Sequence, residues 1–257
     1  MFDIRALQQA YIRGENIIEL LKSINHQEFN ADDIIEVAYD LQSGSYIKYL
    51  SENFEKSKTY AAEVANLLKN HIDPSTILLD VGTGEMTSLS LLYNELPVKP
   101  QKIFAFDLSF SRVLTGLKYL NINAEKLIPL LTPFVGNMLS IPFESKSIDI
   151  TYSNHALEPN GKNLEKILIE LFRITRKKII LFEPCYEINT PQGKQRMRDL
   201  GYIVGIAETV RKLGGTLEDQ IKIKNIENHL NPTVCFIISP LDCDTKDLKS
   251  GMPCFTE

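Results

Sequence analysis

Apolar positions recur along this chain with two different patterns, and the change falls near residue 73. In residues 3–24, Ile4, Leu7, Ala10, Tyr11, Gly14, Ile17, Ile18 and Leu21 lie three or four apart, the spacing of one helix face. Asn30 suits the N-cap of a second helix that runs to about Gln42, where Ser43-Gly44-Ser45 breaks it. A third helix is predicted over about 56–70, ending before Asp73-Pro74, because the residue before a proline is pushed out of the helical region.

After that point, short continuous apolar runs replace the helical spacing. Ile77-Leu78-Leu79 leads into Asp80 and a glycine turn, and Ile103-Phe104-Ala105-Phe106 ends at Asp107. Ile148 to Tyr152 and Ile179-Ile180-Leu181-Phe182, ending at Glu183, are the third and fourth runs. Such runs suit strands covered on both faces. Helix-like stretches separate them; in 162–174, Leu164, Ile167, Leu168, Leu171 and Phe172 share a face. Alternating strands and helices imply a parallel sheet with right-handed crossovers. Near the end, a helix at about 203–213 stops at Gly214-Gly215. The runs 216–224 and 233–239 have no room for a helix between them and predict an antiparallel pair. The last stretch, 241–257, mixes charges, Pro and Cys and predicts no element.

Composition narrows this picture without redirecting it. The chain has 257 residues, 44% hydrophobic and 24% charged, which suits one sizeable α/β core. A net charge of −5 gives no general attraction to phosphate backbones, so nucleic acid is not the expected partner. Cys185, Cys235, Cys243 and Cys254 show no CxxC spacing, and His26, His71, His155 and His229 are scattered, so no metal site is expected. The start of the chain lacks the apolar core of a secretory signal, and no run of about 18 apolar residues occurs. Cytoplasmic location, with reduced thiols and no membrane, is the expectation.

Candidate chemistry gathers at strand ends. In Leu78–Leu89 (LLDVGTGEMTSL) an apolar strand runs into Asp80, then Gly82 and Gly84, then a helix, a turn whose glycines let backbone approach a ligand closely. Asp107 ends the next strand, at about the 20-residue distance where a carboxylate can hold ribose hydroxyls. A plain βα turn, and helix capping beside Ser109, are the bland alternatives. These two features suit a nicotinamide cofactor equally well.

Residues 134–158 (FVGNMLSIPFESKSIDITYSNHALE) add a third feature: Asn137-Met138, an Ile-Pro-Phe turn, then Ser147-Ile148-Asp149 opening a strand that ends in Tyr152-Ser153-Asn154-His155. Here the chain resembles the class I S-adenosylmethionine-dependent methyltransferases, which carry an acidic or amide residue, a Leu-Pro-Phe turn and a Phe-Asp pair before their fourth strand. The resemblance covers about residues 60–183. It departs at Met86, where a third glycine is common, and at Asn137, where many members have Asp. Glu85 and Met86 are therefore expected to narrow the methionine end of the pocket.

What the resemblance implies is a seven-stranded, mostly parallel Rossmann-like sheet with helices on both faces and an antiparallel last strand. It implies an N-terminal helical cap or lid at 1–55, a methyltransferase domain at 56–240 and a tail at 241–257. It implies S-adenosylmethionine as cofactor, with Asp80, Gly82, Thr83 and Gly84 around the methionine moiety. Asp107 would then hold the ribose, Leu108, Asn137 and Met138 would frame the adenine, and Ser153 and Asn154 would face the amino-acid part. Tyr46 reaches in from the cap. His155 and Glu158 fall where this fold faces the transferring methyl, as acid-base candidates that compete with a loop-capping role. Glu183 and Tyr186 are acceptor-side candidates, suggesting a small, polar or sugar-like substrate. Cys185 has no recognisable base beside it. A nicotinamide-dependent oxidoreductase, a cofactor-binding partner without transferase activity, and an RNA or protein methyltransferase are the rival readings.

Overall fold

The computed structural model describes residues 3–226 and 228–241. Four helices come first: α1 (Ile4–Ile12), α2 (Ile17–Asn25), α3 (Asp32–Leu41) and α4 (Ser45–Glu52). The single helical pattern over 3–24 is split, because Gly14 takes φ +82° and Asn16 caps a new helix by accepting from Glu19 N at 3.3 Å. Both helices keep the same apolar face, so Leu7, Ala10, Ile17 and Leu21 still meet Ile34 and Ala38 in a small core of their own. The second helix starts at Asp32, after an Ala31 cap, since Asn30 is turned away to donate to Pro159 O and Leu200 O. Ser43-Gly44 does interrupt the chain, but Ser45 opens the additional helix α4.

Next come α5 (Phe54–Leu68) with a short 3-10 turn, β1 (Ile77–Val81), α6 (Thr87–Glu95), β2 (Lys102–Asp107), α7 (Phe110–Asn123) and β3 (Leu131–Val135). They are followed by β4 (Ile148–Asn154), α8 (Leu164–Ile174), β5 (Thr175–Pro184), α9 (Pro191–Asp199), α10 (Ile206–Lys212), β6 (Thr216–Lys222) and β7 (Thr233–Ser239). The strands form one seven-stranded sheet in the order β3-β2-β1-β4-β5-β7-β6. β1 to β5 pair in parallel, and β7 pairs antiparallel with both β5 and β6. β3 and α9 are not legible as apolar runs: β3 is only partly buried along most of its length, and α9 is predominantly polar.

Alternate strand residues feed two cores. Leu78, Ile103, Ile150, Tyr152 and Ile180 pack with α5, α6 and α7, whereas Leu79, Phe106, Ile148, Ile179 and Leu181 pack with α8 and α10. Helices thus cover both faces, which explains why the strands read as unbroken apolar runs. Each such fully buried aliphatic side chain contributes about 1.5–3 kcal/mol. At the far end of β4 from the site, buried Asp149 accepts from Ile77 N at 3.0 Å and pairs with Arg176 at 2.6 Å, clamping β1, β4 and β5 together. The strand order reverses direction between β1 and β4. A crevice therefore opens beyond the carboxyl ends of these two strands. Among the described residues no helix is long and apolar enough to cross a membrane. Cys185 and Cys235 are unpaired and buried, whereas Cys243, Cys254 and the predicted tail lie outside the described residues.

Candidate functional site

The crevice begins where β1 runs out. Asp80 is buried there and accepts from Thr83 Oγ1 at 2.6 Å. Burial pushes its carboxyl up to about 7; the Thr83 bond opposes the shift and the charge of Asp107 adds to it. Gly82 and Gly84 turn the chain with φ +68° and +55°. A Cβ on Gly82 would lie 2.4 Å from Ala156 Cβ, so this glycine serves close packing between the β1 and β4 loops as well as the turn. Met86, at the position of the family's third glycine, also has a left-handed φ of +56°. It does not narrow the crevice, because its side chain is wholly buried in the core beneath; Glu85, which lines the crevice, does project toward the cap.

Asp107 ends β2 on the other side of the turn. Its Oδ2 accepts from Gly84 N at 2.9 Å and its Oδ1 from Ser109 N at 2.9 Å. Each oxygen keeps a free lone pair, so two neighbouring hydroxyls can still be bound. The capping of α7 falls to Ser109, whose Oγ accepts from Arg112 N at 3.1 Å.

The cap closes over this turn through one buried carboxylate. Glu85 accepts from Gly44 N and Ile47 N, both at 2.9 Å, and thereby satisfies the first amides of α4. Arg112, 3.9 Å from Glu85, has its guanidinium 4.9 Å from the Tyr39 ring and 4.5 Å from the Tyr46 ring. At the far end, Asn137 Nδ2 donates to Asp32 Oδ2 at 2.6 Å, and Leu139 N donates to Asn137 Oδ1. Asp32 thus brings a carboxylate to the corner where Asn137 stands in place of the family's acid.

β4 supplies the opposite wall. Asn154 Oδ1 accepts from Tyr60 OH at 2.7 Å. His155 has the left-handed φ of +55°, uncommon for a non-glycine residue. Its Nδ1 lies 3.2 Å from Glu158 Oε2 and its Nε2 2.8 Å from Thr233 Oγ1. Burial lowers the His155 pKa, but the bond to Glu158 and the charges of Glu158 and Glu183 outweigh it and leave the ring above the ordinary histidine value. Ser153, Glu183 and Tyr186, expected at the ligand, line neither cavity of this region. Glu183 is fully buried and accepts from Ser153 Oγ at 2.8 Å, Ala156 N at 3.1 Å and Leu157 N at 3.2 Å, which shapes the β4 loop from behind. Burial pushes its carboxyl up to about 7. Tyr186 is engaged by Arg198 through its hydroxyl and by Lys194 5.3 Å from its ring, outside the crevice. Cys185 is held as a thiol by burial, its pKa pushed up to about 11.

Two cavities result. One, of about 100 Å³, is lined by Asp80, Gly82, Thr83, Gly84, Asp107, Leu108, Asn137 and Met138. The other, of about 620 Å³, is bounded by α4, α5, α6 and the β7 side. Tyr46, Thr87, Tyr152, Asn154 and His155 line both. The first cavity's free space is smaller than an adenosyl sulfonium compound, but its lining has the chemistry for one: a buried carboxylate with free lone pairs for a diol, a second buried carboxylate for a cation, and backbone stripped of side chains between them.

Residues 79–182 match the family model of the methyltransferase domain. This segment carries a methyltransferase domain. No curated protein matches its sequence. Among solved structures, the methyltransferase resembles geranyl diphosphate C-methyltransferase from Streptomyces coelicolor A3(2) at 13% identity and TM-score 0.53, over 69% of this chain and 78% of that one. It also resembles the [4+2]-cyclase SpnF at 11% identity and TM-score 0.57, over 69% of this chain and 80% of that one. A third likeness is to the methyltransferase bound to the Haloferax volcanii Trm112 methyltransferase activator, at 15% identity and TM-score 0.57, over 79% and 97% of the two chains. At these identities the likeness is one of fold. The geranyl diphosphate C-methyltransferase structure holds S-adenosyl-L-homocysteine.

Sequence reasoning missed Asp32, Tyr39, Tyr60, Arg112, Arg196, Tyr202 and Thr233. All but Arg112, which follows Asp107 by five residues, come from segments far from the motifs. Only Asp32 carried a signal, as an acid at the start of a predicted helix, and that signal reads as dipole compensation.

Proposed function

We propose that this methyltransferase acts on a small-molecule acceptor held in the 620 Å³ cavity, with its cofactor in the adjoining crevice. The observation that carries the reading is the shared wall, where Asn154 and His155 belong to both cavities. In it, Asp80, Gly82, Thr83 and Gly84 hold the methionine end of the cofactor and Asp107 its ribose. Leu108, Asn137 and Met138 frame the adenine, with Asp32 supplying the acid that Asn137 lacks. Tyr46 closes over the junction and excludes water.

His155 is the proton acceptor. With Nδ1–H donated to Glu158, Nε2 is left as the basic atom, and the Thr233 hydroxyl meets it. An acceptor hydroxyl or amine that replaces Thr233 passes its proton to Nε2 as it is methylated, and Glu158 stabilises the imidazolium. A covalent intermediate on the protein is not needed.

Calorimetry tests the reading. S-adenosylmethionine and S-adenosylhomocysteine are expected to bind at micromolar affinity and NAD not to bind. Once an acceptor is in hand, His155→Ala should lower turnover by about 10²–10⁴ and leave cofactor affinity intact. Heat from NAD alone would overturn the cofactor assignment; full turnover in His155→Ala would overturn the role of the histidine.

A further inference from the structure

The larger cavity has a mixed lining. Leu50, Val64, Leu91, Leu92 and Ile226 bring apolar surface to it, among polar neighbours that include Ser57, Tyr60, Ser88, Asn225 and Asn228. A polar end is formed by His155, Glu158, Tyr202, Asn231 and Thr233, which hydrogen bonds join into one cluster, with Arg196 beside Tyr202. The cavity's volume of about 620 Å³ falls within the range of small-ligand sites, about 300–1,000 Å³.

Two atoms of the polar end are buried without a hydrogen-bond partner among the described residues: Arg196 Nη1 and Asn231 Oδ1. An unpartnered buried donor or acceptor is costly, and here both belong to the wall of a cavity that can hold the missing partner. The charge balance decides which partner. Glu158 is already committed: it faces His155 Nδ1 at 3.2 Å and accepts from Tyr202 OH at 3.3 Å and Asn231 Nδ2 at 3.2 Å. Arg196 has no carboxylate within salt-bridge distance among the described residues; its guanidinium lies 5.5 Å from the Tyr202 ring centre. The end therefore holds a guanidinium with a buried N–H that no carboxylate among the described residues reaches. A planar guanidinium binds carboxylate and phosphate oxygens through paired N–H groups.

Resting on the proposed acceptor role of this cavity, we infer that the acceptor is an amphipathic organic anion. Its carboxylate or phosphate sits on Arg196, and its apolar body lodges against Leu50, Val64, Leu91 and Ile226. A hydroxyl or amine hydrogen near the head group meets Asn231 Oδ1, and the atom to be methylated faces His155 at the shared wall. A neutral sugar would bring no anionic oxygens to the guanidinium. A cation would face Arg196 directly.

Binding to the protein saturated with S-adenosylhomocysteine tests this with four probes of one chain length: decanoate, decyl phosphate, decanol and decylammonium. At least one anion should bind tenfold or more tightly than the alcohol and the ammonium, and the stronger anion identifies the head group. Arg196→Gln should abolish that preference, and Arg196→Lys should restore part of it. S-adenosylhomocysteine affinity should not change in either variant, since Arg196 lies outside the cofactor crevice. Equal affinity for all four probes, or an anion preference that survives Arg196→Gln, would overturn the inference. S-adenosylhomocysteine binding, measured first in each sample, keeps the two claims separate. Its absence overturns the methyltransferase reading, whatever the anions do.

Discussion

At the scale of single residues, Asp107 carries two duties that a sequence cannot separate. Its oxygens hold the amides of Gly84 and Ser109, so it shapes the turn in addition to the ribose contact proposed for it. Asp107→Ala should weaken binding of S-adenosylhomocysteine at least tenfold, through lost charge-assisted hydrogen bonds of about 1.5–3 kcal/mol each. It should also lower the ligand-free melting temperature, because two buried amides lose their acceptor at about 1–3 kcal/mol each. At roughly 2–4 °C per kcal/mol for a domain of this size, the fall is about 4 °C or more. Calorimetric titration and thermal unfolding of the same variant give both numbers. A lower melting temperature with unchanged affinity would leave Asp107 a purely structural residue. Met86 makes the complementary point: a methionine occupies a left-handed position usually given to glycine, and its buried side chain offsets the backbone strain.

Among elements, the cap is the part most dependent on one contact. α4 begins at Ser45, just after Gly44 with φ +98°, and the helix has no side-chain cap of its own. Glu85 replaces that cap from the β1 loop, so the carboxylate that ends the glycine turn also anchors the lid. The Tyr39–Arg112–Tyr46 stack adds a second anchor. Glu85→Ala should free residues 43–47 without unfolding the sheet, because the variant leaves the strand pairings untouched. Hydrogen exchange should quicken at the amides of Gly44 and Ile47 and stay slow in β1 and β4. If the closed cap falls to about one molecule in ten, apparent cofactor affinity drops about tenfold. Unchanged exchange at Gly44 would show that the cap is held by its other contacts alone.

Across the whole molecule, the buried carboxylates tie stability and binding to pH. Asp80 has its pKa raised from 3.8 to about 7, and Glu183 from 4.5 to about 7. Both bind a proton in the folded state that the unfolded chain releases at lower pH. Their contribution is complete below about pH 4 and is lost as pH rises through 7. Ligand-free stability should therefore decline from pH 5 to 7 through these groups. A ligand that places its cationic end beside Asp80 favours the ionised carboxylate, so cofactor affinity should rise with pH and level off above about 7. Thermal unfolding with and without S-adenosylmethionine between pH 5 and 8 reads both trends. Ligand-induced stabilisation that ignores pH, or that keeps its pH dependence in Asp80→Asn, would sink the assignment of the cation to Asp80.

The sequence by itself determined most of the sheet and the glycine turn at the end of β1. Strand segments buried on both faces, such as residues 78–81 of β1 and 179–182 of β5, are largely apolar, and a glycine turn at a strand end has few alternatives. These are local constraints, and local constraints leave a pattern. β3 and α9 escaped because one is partly exposed and the other mostly polar, so neither repeats apolar residues at a fixed period. Tertiary structure alone decided that Glu183 stands behind the β4 loop and not in the acceptor space, since burial depends on what packs over a strand end. It also brought Asp32 to Asn137, Glu85 to α4 and Arg196 to the cavity of His155, across sequence separations that no spacing rule spans. Side chains that meet only through folding impose no period on the chain, so the sequence carries no mark of their meeting.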